Sequence, residues 1–391
     1  MNRFIILFLL ISISGCHAEN IDEIDVRVLE LDPQNVQQLK FSDIVSEFKF
    51  VKLNTPENIY FGNADKIIVS DNRIYVLDIF TGEKLLVFDI HGEFIFEIST
   101  HGRGPGELLQ PADFIVDTEG EKIVILDQGN IKLSFYNIAD GSFIEDKTLN
   151  FWTYYFHKNG EGYVFFNNNL QNAQNNHNVL FTDNSLTIIN REQPIPGHQR
   201  NFHYALPRKF TSYKDRVYLT IPFNNTIYTV SDNQAVPYLV LDFGDLNIPG
   251  TFFETFTDNR ERIQEVKNYG FNVTNYFESD EFVFFNYRYM NNTNYYFQSK
   301  KTGVELHTNN QNLSFDVGFG PMMLWPMEVS ENYLVWQQEP FKLKSYVDNV
   351  KNSLSDAKWK DFEQTNRDLI EFSNSIDPND NAYLILTKLD F

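Results

Sequence analysis

A short loop holds the residues of this sequence that most resemble a chemical site. Within residues 99–114, STHGRGPGELLQPADF, three glycines and a proline fall in five positions beside His101, Arg103 and Glu107. A phosphate-binding P-loop needs glycine N–H groups at a helix N-terminus and a Lys-Ser or Lys-Thr pair. Here Gly106 precedes a glutamate and then strand-like residues. Two interpretations remain: a tight turn between sheets, with Arg103 bonding nearby carbonyls or carboxylates, or a binding site facing a central channel.

Sequence motifs for metal binding and nucleophilic catalysis are absent. The eight histidines have no HxH or HExxH spacing, and there is no DxDxDG calcium loop and no GxSxG nucleophile elbow. Ligation by histidines from separate parts of the chain remains possible geometrically. The 53 acidic residues make close carboxylate pairs unavoidable, but nothing marks any pair for glycoside hydrolysis. We predict no metal, no cofactor and no assigned catalytic residue; enzymatic activity stays open, and the non-enzymatic interpretation is favoured.

Aromatic side chains offer a second kind of binding surface. Several lie at the beginnings of predicted strands or in the loops before them. Aromatic faces supply contact area at a low entropic cost, and a neighbouring Arg or Asn can hold hydroxyls or carboxylates. Core packing is the alternative role for each ring. Together with the loop, the candidate binding residues are His101, Arg103, Glu107, Trp152, Tyr154, His203, Tyr204, Arg288 and Trp325.

Composition limits the class of protein. The chain has 391 residues, and its 37 Phe and 20 Tyr suit half-buried β-surfaces. A net charge of −21 argues against a nucleic-acid partner, because such affinity comes largely from Lys and Arg neutralising phosphates. We therefore expect an all-β protein that does not bind nucleic acid.

The N-terminus predicts export and lipid attachment. Residues 1–15, MNRFIILFLLISISG, carry an apolar run that is too short for a stable membrane span, as in a secretory signal. Cys16, the only cysteine, follows directly, and ISGC at residues 13–16 resembles the bacterial lipobox. An incidental cysteine after an ordinary cleavable signal is the alternative. We predict a lipid anchor at Cys16, as the sole membrane attachment, followed by an acidic tether over residues 16–45.

A repeat of about 50 residues follows the tether. Residues 64–98 align with residues 111–147, so that Asp78 falls on Asp127, 49 residues later. Each unit contains four short apolar runs and a DxxGxF hairpin, whose glycine adopts positive φ at little cost. A period near 50 with four strands per unit is typical of a β-propeller.

Later units keep this spacing and complete a predicted ring. They begin near residues 151, 208, 271 and 322. We predict a six-bladed β-propeller over residues 46–391, closed by pairing an early strand, 48–53, with the last blade, because closure removes exposed edges. Helical spacing predicts short inserted helices over 258–269 and 358–373, either as packing covers on the rim or as part of a ligand-facing lid or partner contact.

The complete pattern resembles a known family. The run DKIIxxDxRIYVLD, the FDxxGxFxxxI hairpin, GRGPGE, LDFG at 241–244 and the closing NAYLILTKLDF are similar to the six-bladed β-propeller lipoproteins of Bacteroidota, relatives of NHL-repeat and TolB-like propellers. The resemblance covers roughly residues 40–391. It implies that GRGPGE connects the outer strand of one blade to the inner strand of the next. It also implies a location beside outer-membrane nutrient uptake systems, without an agreed catalytic motif.

These observations favour one function and leave two alternatives. The favoured function is an outer-membrane lipoprotein, on the periplasmic side or the cell surface, that binds a glycan, a peptide or a partner protein such as a transporter. The alternatives are a hydrolase or lyase with a site at the channel mouth, and a structural subunit of an outer-membrane transporter. A metal or a close carboxylate pair at the axis would favour the enzyme, an open aromatic groove the binder, and a broad apolar side face the subunit.

Overall fold

Strands dominate the chain, as its runs of Val, Ile, Phe and Tyr predict. The structure is a computed structural model, and it describes residues 26–56, 59–171, 175–200, 209–316 and 325–391. The signal predicted over residues 1–15 and the anchor predicted at Cys16 lie outside the described residues. The first three strands, which belong to three different sheets, are β1 (Arg27–Glu30), β2 (Leu39–Lys40) and β3 (Val45–Lys52).

Five antiparallel sets of four consecutive strands follow in chain order, and we number them sheets 1 to 5; β1 adds a fifth strand to sheet 4. Their strands are β4 (Lys66–Ser70), β5 (Arg73–Asp78), β6 (Lys84–Asp89) and β7 (Phe94–Ile98); β8 (Pro111–Asp117), β9 (Lys122–Asp127), β10 (Lys132–Asn137) and β11 (Phe143–Thr148); β12 (Tyr155–Asn159), β13 (Gly162–Phe166), β14 (His177–Thr182) and β15 (Ile188–Pro194); β16 (Phe210–Tyr213), β17 (Arg216–Thr220), β18 (Thr226–Ser231) and β19 (Gln234–Asp242); β20 (Phe271–Glu278), β21 (Phe282–Tyr289), β22 (Asn292–Ser299) and β23 (Glu305–Asn309).

A further four-stranded sheet, sheet 6, joins the two ends of the chain. After β24 (Leu313–Ser314), which pairs with β2, it contains β25 (Glu328–Ser330), β26 (Tyr333–Gln338) and β27 (Tyr383–Leu389), and its outermost strand is β3. β3 pairs antiparallel with β27, with Phe50 opposite Ile385. The predicted closure by an early strand is therefore observed, because this pairing fills the open edge of the last sheet.

The first strands of the six sheets surround one axis. Each contacts the first strand of the next sheet, and β25 contacts β4, so the contacts form a closed ring. The all-β, propeller-like fold predicted from the repeat is confirmed. Antiparallel pairing places the end of each second strand opposite the beginning of the first strand, as Leu77 lies opposite Lys66. The long connections 99–110, 243–270 and 339–382 leave or enter the sheets on this side, which we call the loop-rich end.

The repeated aspartate links each sheet to the loop that enters it. Asp78 and Asp127 are both fully buried. The carboxylate of Asp78 accepts hydrogen bonds from the N–H groups of Gly62 and Thr81, at 2.7 and 2.9 Å. Asp127 likewise accepts from two residues of the loop before β8, each at 2.9 Å. The repeated aspartate therefore has a structural role: it satisfies backbone N–H groups that would otherwise be buried without a partner at a cost in free energy.

Helices occur where the sequence predicts them and in one further place. They are α1 (Phe252–Thr255), α2 (Asn259–Glu265), α3 (Pro340–Ser353), α4 (Asp356–Thr365) and α5 (Arg367–Ser375), with 3-10 turns at Phe41–Asp43, Gly197–Gln199, Gly244–Leu246 and Val266–Asn268. The sequence analysis missed α3, although Pro340 at its first position and buried Leu343 one turn later are helix signals. Phe372 of α5 stacks on Phe50 of β3 at 4.7 Å, so these helices cover the closing strand.

The described part of the predicted tether differs from the expectation of a free polar segment. From Arg27 to Glu30 it forms β1, which adds in parallel to β19 of sheet 4, with Val28 opposite Val240. Farther along, Phe41 is fully buried in the core beside sheets 5 and 6. Polar residues alternate with Leu29 and Leu31, which is a strand signal, but the high charge of the segment obscured it. Among the described residues, no helix is long and apolar enough to cross a membrane.

Candidate functional site

Buried ionisable side chains surround the axis near the loop-rich end. Four of the six first-strand regions contribute one: Lys66, Asp113, Lys209 and Glu328, with 9%, 3%, 2% and 8% of their surface exposed. Charged groups are rarely buried to this extent unless they are paired, and they concentrate at functional sites. These four side chains are therefore candidates for binding or catalysis.

Lys66 and Asp113 form a structural link between neighbouring sheets. The Lys66 ammonium donates to an Asp113 carboxylate oxygen at 2.6 Å and to the carbonyl of Phe114 at 2.8 Å. The other Asp113 oxygen accepts the backbone N–H of Phe156 at 2.9 Å. Because these contacts join sheets 1, 2 and 3, the pair satisfies its own charges within the fold.

Lys209 has no such link. Its Nζ atom is buried, and no hydrogen-bond partner for it exists among the described residues. It lies 6.0 Å from the ring centre of Tyr155 and 5.6 Å from that of Phe166. Burial lowers the pKa of Lys209 well below its usual value. The contacts of the ammonium with aromatic faces compensate only part of the lost hydration.

Aromatic rings continue from Lys209 along the loop that enters sheet 3. Trp152 and Tyr154 meet edge to face at 4.7 Å, Tyr154 lies 6.2 Å from Tyr155, and Tyr155 lies 6.4 Å from Phe166. We call Trp152, Tyr154 and Tyr155 the aromatic ladder. Burial raises the pKa of Tyr154, so its hydroxyl stays neutral in ordinary buffers. The ladder thus places half-buried ring faces next to an unpaired amine.

A cavity of about 420 Å³ lies along the axis itself. Residues from five of the six first strands line it, including Asp117, His157, Thr211 and Glu328. Lys158 donates to Asp117 at 2.7 Å, so one carboxylate of the cavity is already paired. Among the described residues, no group of three His, Cys, Asp or Glu side chains could hold a metal ion.

A larger groove, of about 680 Å³, lies between sheets 3 and 4 at the loop-rich end. We call it the amide groove, because six side-chain amides line it together with prolines and Phe223: Asn178, Gln193, Gln199, Asn224, Asn225 and Asn247. Asp242 is the one ionisable residue in the described lining. Its carboxylate accepts from the N–H of Gly244 and the side chain of Asn247, and these bonds lower its pKa.

Local turns position the amides of this groove. Asn224 donates to the Tyr228 hydroxyl at 2.8 Å and accepts the N–H of Thr226 at 2.9 Å, which holds the turn between β17 and β18. Asn178 exchanges two hydrogen bonds with Asn169, at 2.6 and 2.8 Å. These amides are therefore rigid before any ligand arrives, as a preorganised site requires.

Other amides of the groove keep unused hydrogen-bonding capacity. The side-chain oxygen of Asn225 is buried without a partner among the described residues. Within the same described chain, the side-chain amides of Gln193 and Gln199 make no hydrogen bond. Phe223 adopts a φ of +59°, a conformation that is unusual for an aromatic residue and that often accompanies a binding site. The groove can therefore both donate and accept hydrogen bonds toward a neutral ligand.

The GRGPGE loop lies against the outer strands of sheet 2. The carbonyl of Gly106 accepts the Tyr136 hydroxyl at 3.1 Å, and Glu107 accepts the N–H of Gly104 at 2.7 Å. His101 pairs with Glu83 at 3.4 Å at the surface. Arg103 is exposed and, among the described residues, makes no hydrogen bond or ion pair. The contacts of Gly106 and Glu107 agree with a tight turn, but the predicted bonding of Arg103 to carbonyls or carboxylates is not observed within the described part of the chain. Binding by His101, Arg103 and Glu107 stays a prediction, and none of the three lines either cavity.

The other sequence candidates fall into separate places. Trp152 and Tyr154 come together in the aromatic ladder, whereas His203 and Tyr204 lie outside the described residues. Arg288 donates to Thr293 at 2.6 Å and to the Asn291 carbonyl at 3.1 Å, within its own hairpin of sheet 5. Trp325 packs on the core between sheets 6 and 1.

Sequence reasoning missed Lys209 and the amide groove. The asparagines of the groove were visible, but their pattern was interpreted only as a set of turn signals. Lys209 carried no sequence signal, because a single lysine beside a strand is usually solvated.

The whole-chain comparisons agree with the fold. No curated protein sequence matches the chain significantly. A solved structure of a Bacteroides fragilis NCTC 9343 protein, named as an exported protein, has a TM-score of 0.76 and 19% identity, covering 93% of this chain and 100% of that chain. A member of the DUF4221 family from Bacteroides vulgatus has a TM-score of 0.51 and 10% identity, covering 88% and 97%. The model of DUF4934, a domain of unknown function, matches residues 24–388, and the chain therefore belongs to the DUF4934 family.

Proposed function

We propose that this protein is an exported, lipid-anchored binding protein of the outer membrane, and that its loop-rich end takes a glycan or peptide segment. The observation that carries the proposal is the amide groove. Its volume falls within the range of small-ligand clefts, and its polar groups are neutral amides that can pair with hydroxyl or peptide groups. Binding without catalysis is the activity that such a lining supports best.

The chemistry of the groove favours a binder over a hydrolase. Glycoside hydrolysis in its usual form needs two carboxyl groups on either side of the scissile bond. The described lining offers Asp242 alone, and that carboxylate is already held by Asn247 and a backbone N–H. The oxygen of Asn225 and the amides of Gln193 and Gln199 instead provide acceptors and donors for a neutral ligand.

The N-terminal sequence supports the cellular part of the proposal. The secretory signal predicted over residues 1–15 and the lipobox-like ISGC ending at Cys16 support a location outside the cytoplasm on a lipid anchor. The resemblance to propeller lipoproteins adds a role as an accessory to a nutrient transporter. Mass spectrometry of the protein from membranes tests the anchor: a diacylated Cys16 at the new N-terminus is expected, and an unmodified cysteine contradicts it.

Binding is tested with the purified protein on arrays of oligosaccharides and peptides. The double variant Gln193→Ala/Gln199→Ala should weaken binding of the captured ligand about tenfold or more, because two hydrogen bonds of about 1 kcal/mol each are lost. Its thermal stability should be unchanged, since these amides have no described partner within the fold. Gln311→Ala, an exposed glutamine on sheet 5, is the matched control and should bind normally. Equal binding by the double variant would place the ligand elsewhere.

A further inference from the structure

Lys209 is a buried ionisable residue whose amine the described fold leaves without a hydrogen-bond partner. The pair of Lys66 and Asp113 joins three sheets, but the Lys209 amine has no hydrogen-bond partner among the described residues. It rests instead on the faces of Tyr155 and Phe166, at 6.0 and 5.6 Å. An apolar side chain of similar length would pack there without the cost of desolvating an amine. A buried lysine at this position therefore lacks a partner that the described chain could supply.

The aromatic ladder connects this amine to the surface of the loop-rich end. Trp152 and Tyr154 are half-buried, and the rings continue through Tyr155 to the amine. A ring face beside a cation suits a sugar acid, since the ring contacts the C–H face of the sugar and the cation meets its carboxylate.

The backbone of sheet 3 links these rings to the amide groove. Phe166, whose ring lies 6.4 Å from that of Tyr155, directly precedes Asn167, whose N–H donates to the carbonyl of Asn178 at 2.8 Å. Asn178 lines the groove. A chain-like ligand lying in the groove can therefore place an end group toward Lys209, and this step rests on the proposed function.

We propose that Lys209 and the aromatic ladder form a subsite for the carboxylate of an acidic sugar, a uronic acid at the end of a ligand held in the amide groove. The carboxylate supplies the missing partner and converts an isolated amine into a charge-assisted hydrogen-bonded pair. Truncated neutral ligands bind the groove but leave this subsite empty.

The subsite couples binding to protonation. Among the described titratable groups, Tyr155 lies under the amine and Tyr154 lies 6.2 Å from Tyr155. His157, on the same strand as Tyr155, lies 6.1 Å from Phe210, the residue after Lys209. Beyond them on the side of sheet 2 lies Asp113, which Lys66 neutralises. Because burial lowers the pKa of the free amine, a carboxylate that favours the ammonium form draws a proton from solution. Affinity for the acid then falls by up to about tenfold for each pH unit above that pKa.

The experiment compares a uronic-acid trisaccharide with its carboxyl-reduced, neutral counterpart by titration calorimetry on the full-length protein. At about pH 6 the acid should bind about tenfold more tightly, because a charged hydrogen bond adds at least 1.4 kcal/mol. Titrations in buffers of different ionisation enthalpy should show uptake of up to one proton for the acid and none for the neutral sugar. This measurement needs no variant.

Two lysine variants locate the effect. Lys209→Met should abolish both the preference for the acid and the proton uptake. Lys214→Met, an exposed lysine of the same sheet paired with Asp280, should retain both. Equal affinity for the two sugars, or a preference that survives Lys209→Met, would each overturn the inference alone. Failure of both sugars to bind would contradict the proposed function as well.

A peptide arm separates a sugar acid from another carboxylate. A tripeptide with a free C-terminus is compared with its amide. Proton uptake by the peptide acid, with none by the uronic acid, would overturn the assignment to a sugar.

Discussion

The α-carbon of Gly92 faces the backbone of Lys52 so closely that a Cβ atom would lie 2.0 Å from the Lys52 carbonyl oxygen. Gly92 belongs to the β6–β7 hairpin, the last of sheet 1, and Lys52 ends β3, the strand that closes sheet 6. The carbonyl of Gly92 also accepts the N–H of Asn54 at 2.8 Å. The junction between the first and last sheets therefore depends on a residue without a side chain.

Replacing Gly92 with alanine should open this junction. Gly92→Ala should lower the free energy of unfolding by about 3 kcal/mol or more, since it combines a positive φ of +88° with a backbone clash. Gly303→Ala is the matched control, because Gly303 has a φ of +75° in the equivalent hairpin of sheet 5 and meets nothing within 4 Å. It should cost about 1 kcal/mol. Urea denaturation measures both, and equal costs would remove the role assigned to the close contact.

Removing the ammonium of the buried Lys66–Asp113 pair should be strongly destabilising. Lys66→Met leaves the Asp113 carboxylate buried without its cation, at a cost of about 3 kcal/mol or more in the free energy of unfolding. The double variant Lys66→Met/Asp113→Asn should recover part of that loss. Lys49→Met, which breaks an exposed pair with Glu47, should change stability by less than about 1 kcal/mol. A cost for Lys66→Met as small as for Lys49→Met would contradict the link between sheets.

The free energy of unfolding should rise when the unpaired amine is removed. The pKa of Lys209 is lower in the folded than in the unfolded protein, so the unfolded state binds more protons between the folded pKa and 10.5. Wild-type stability therefore loses a contribution as pH falls through that window. Lys209→Met should be more stable than wild type near neutral pH, and the difference should shrink toward about pH 10. Denaturation curves across this range check the prediction; a less stable variant would argue that the amine has a stabilising partner.

His307 should contribute to acid unfolding. Burial lowers its pKa from 6.5 to about 4, and its Nε2 lies 2.7 Å from the Tyr287 hydroxyl. In this pH range the imidazole binds a proton in the unfolded chain but not in the folded chain. The free energy of unfolding therefore falls as pH drops from about 6.5 to about 4, by up to about 3 kcal/mol. NMR titration of the imidazole measures the folded pKa directly. A value near 6.5 would contradict the prediction, and a His307→Gln variant should lose this part of the acid sensitivity.

Local sequence patterns were sufficient for the strands and their closure. Asp78 and Asp127 recur because the loops that enter sheets 1 and 2 both present backbone N–H donors to them, and the apolar run 48–53 pairs with β27 because the last sheet lacks a fourth strand. Local patterns did not predict β1, because charged residues around Leu29 obscured the alternation of polar and apolar side chains. They also did not predict α3, which lies in an insertion between two strands of sheet 6.

The candidate sites depended on contacts that no local pattern contains. Trp152 and Tyr154 are neighbours in sequence and remain so in space, which is why the sequence could pair them. Lys209 reaches the ladder from the next sheet, and the amide groove combines Asn178 of sheet 3 with Asn224 of sheet 4.

By itself, the sequence determined the strand periodicity, the turns and the early strand that closes the ring, because each arises from residues adjacent along the chain or from one unfilled sheet edge. Only the tertiary structure decided which side chains face one another across neighbouring sheets. Burial and the pairing of charges depend on contacts between residues far apart in sequence. The unpaired Lys209 amine and the neutral amide groove are both products of such contacts.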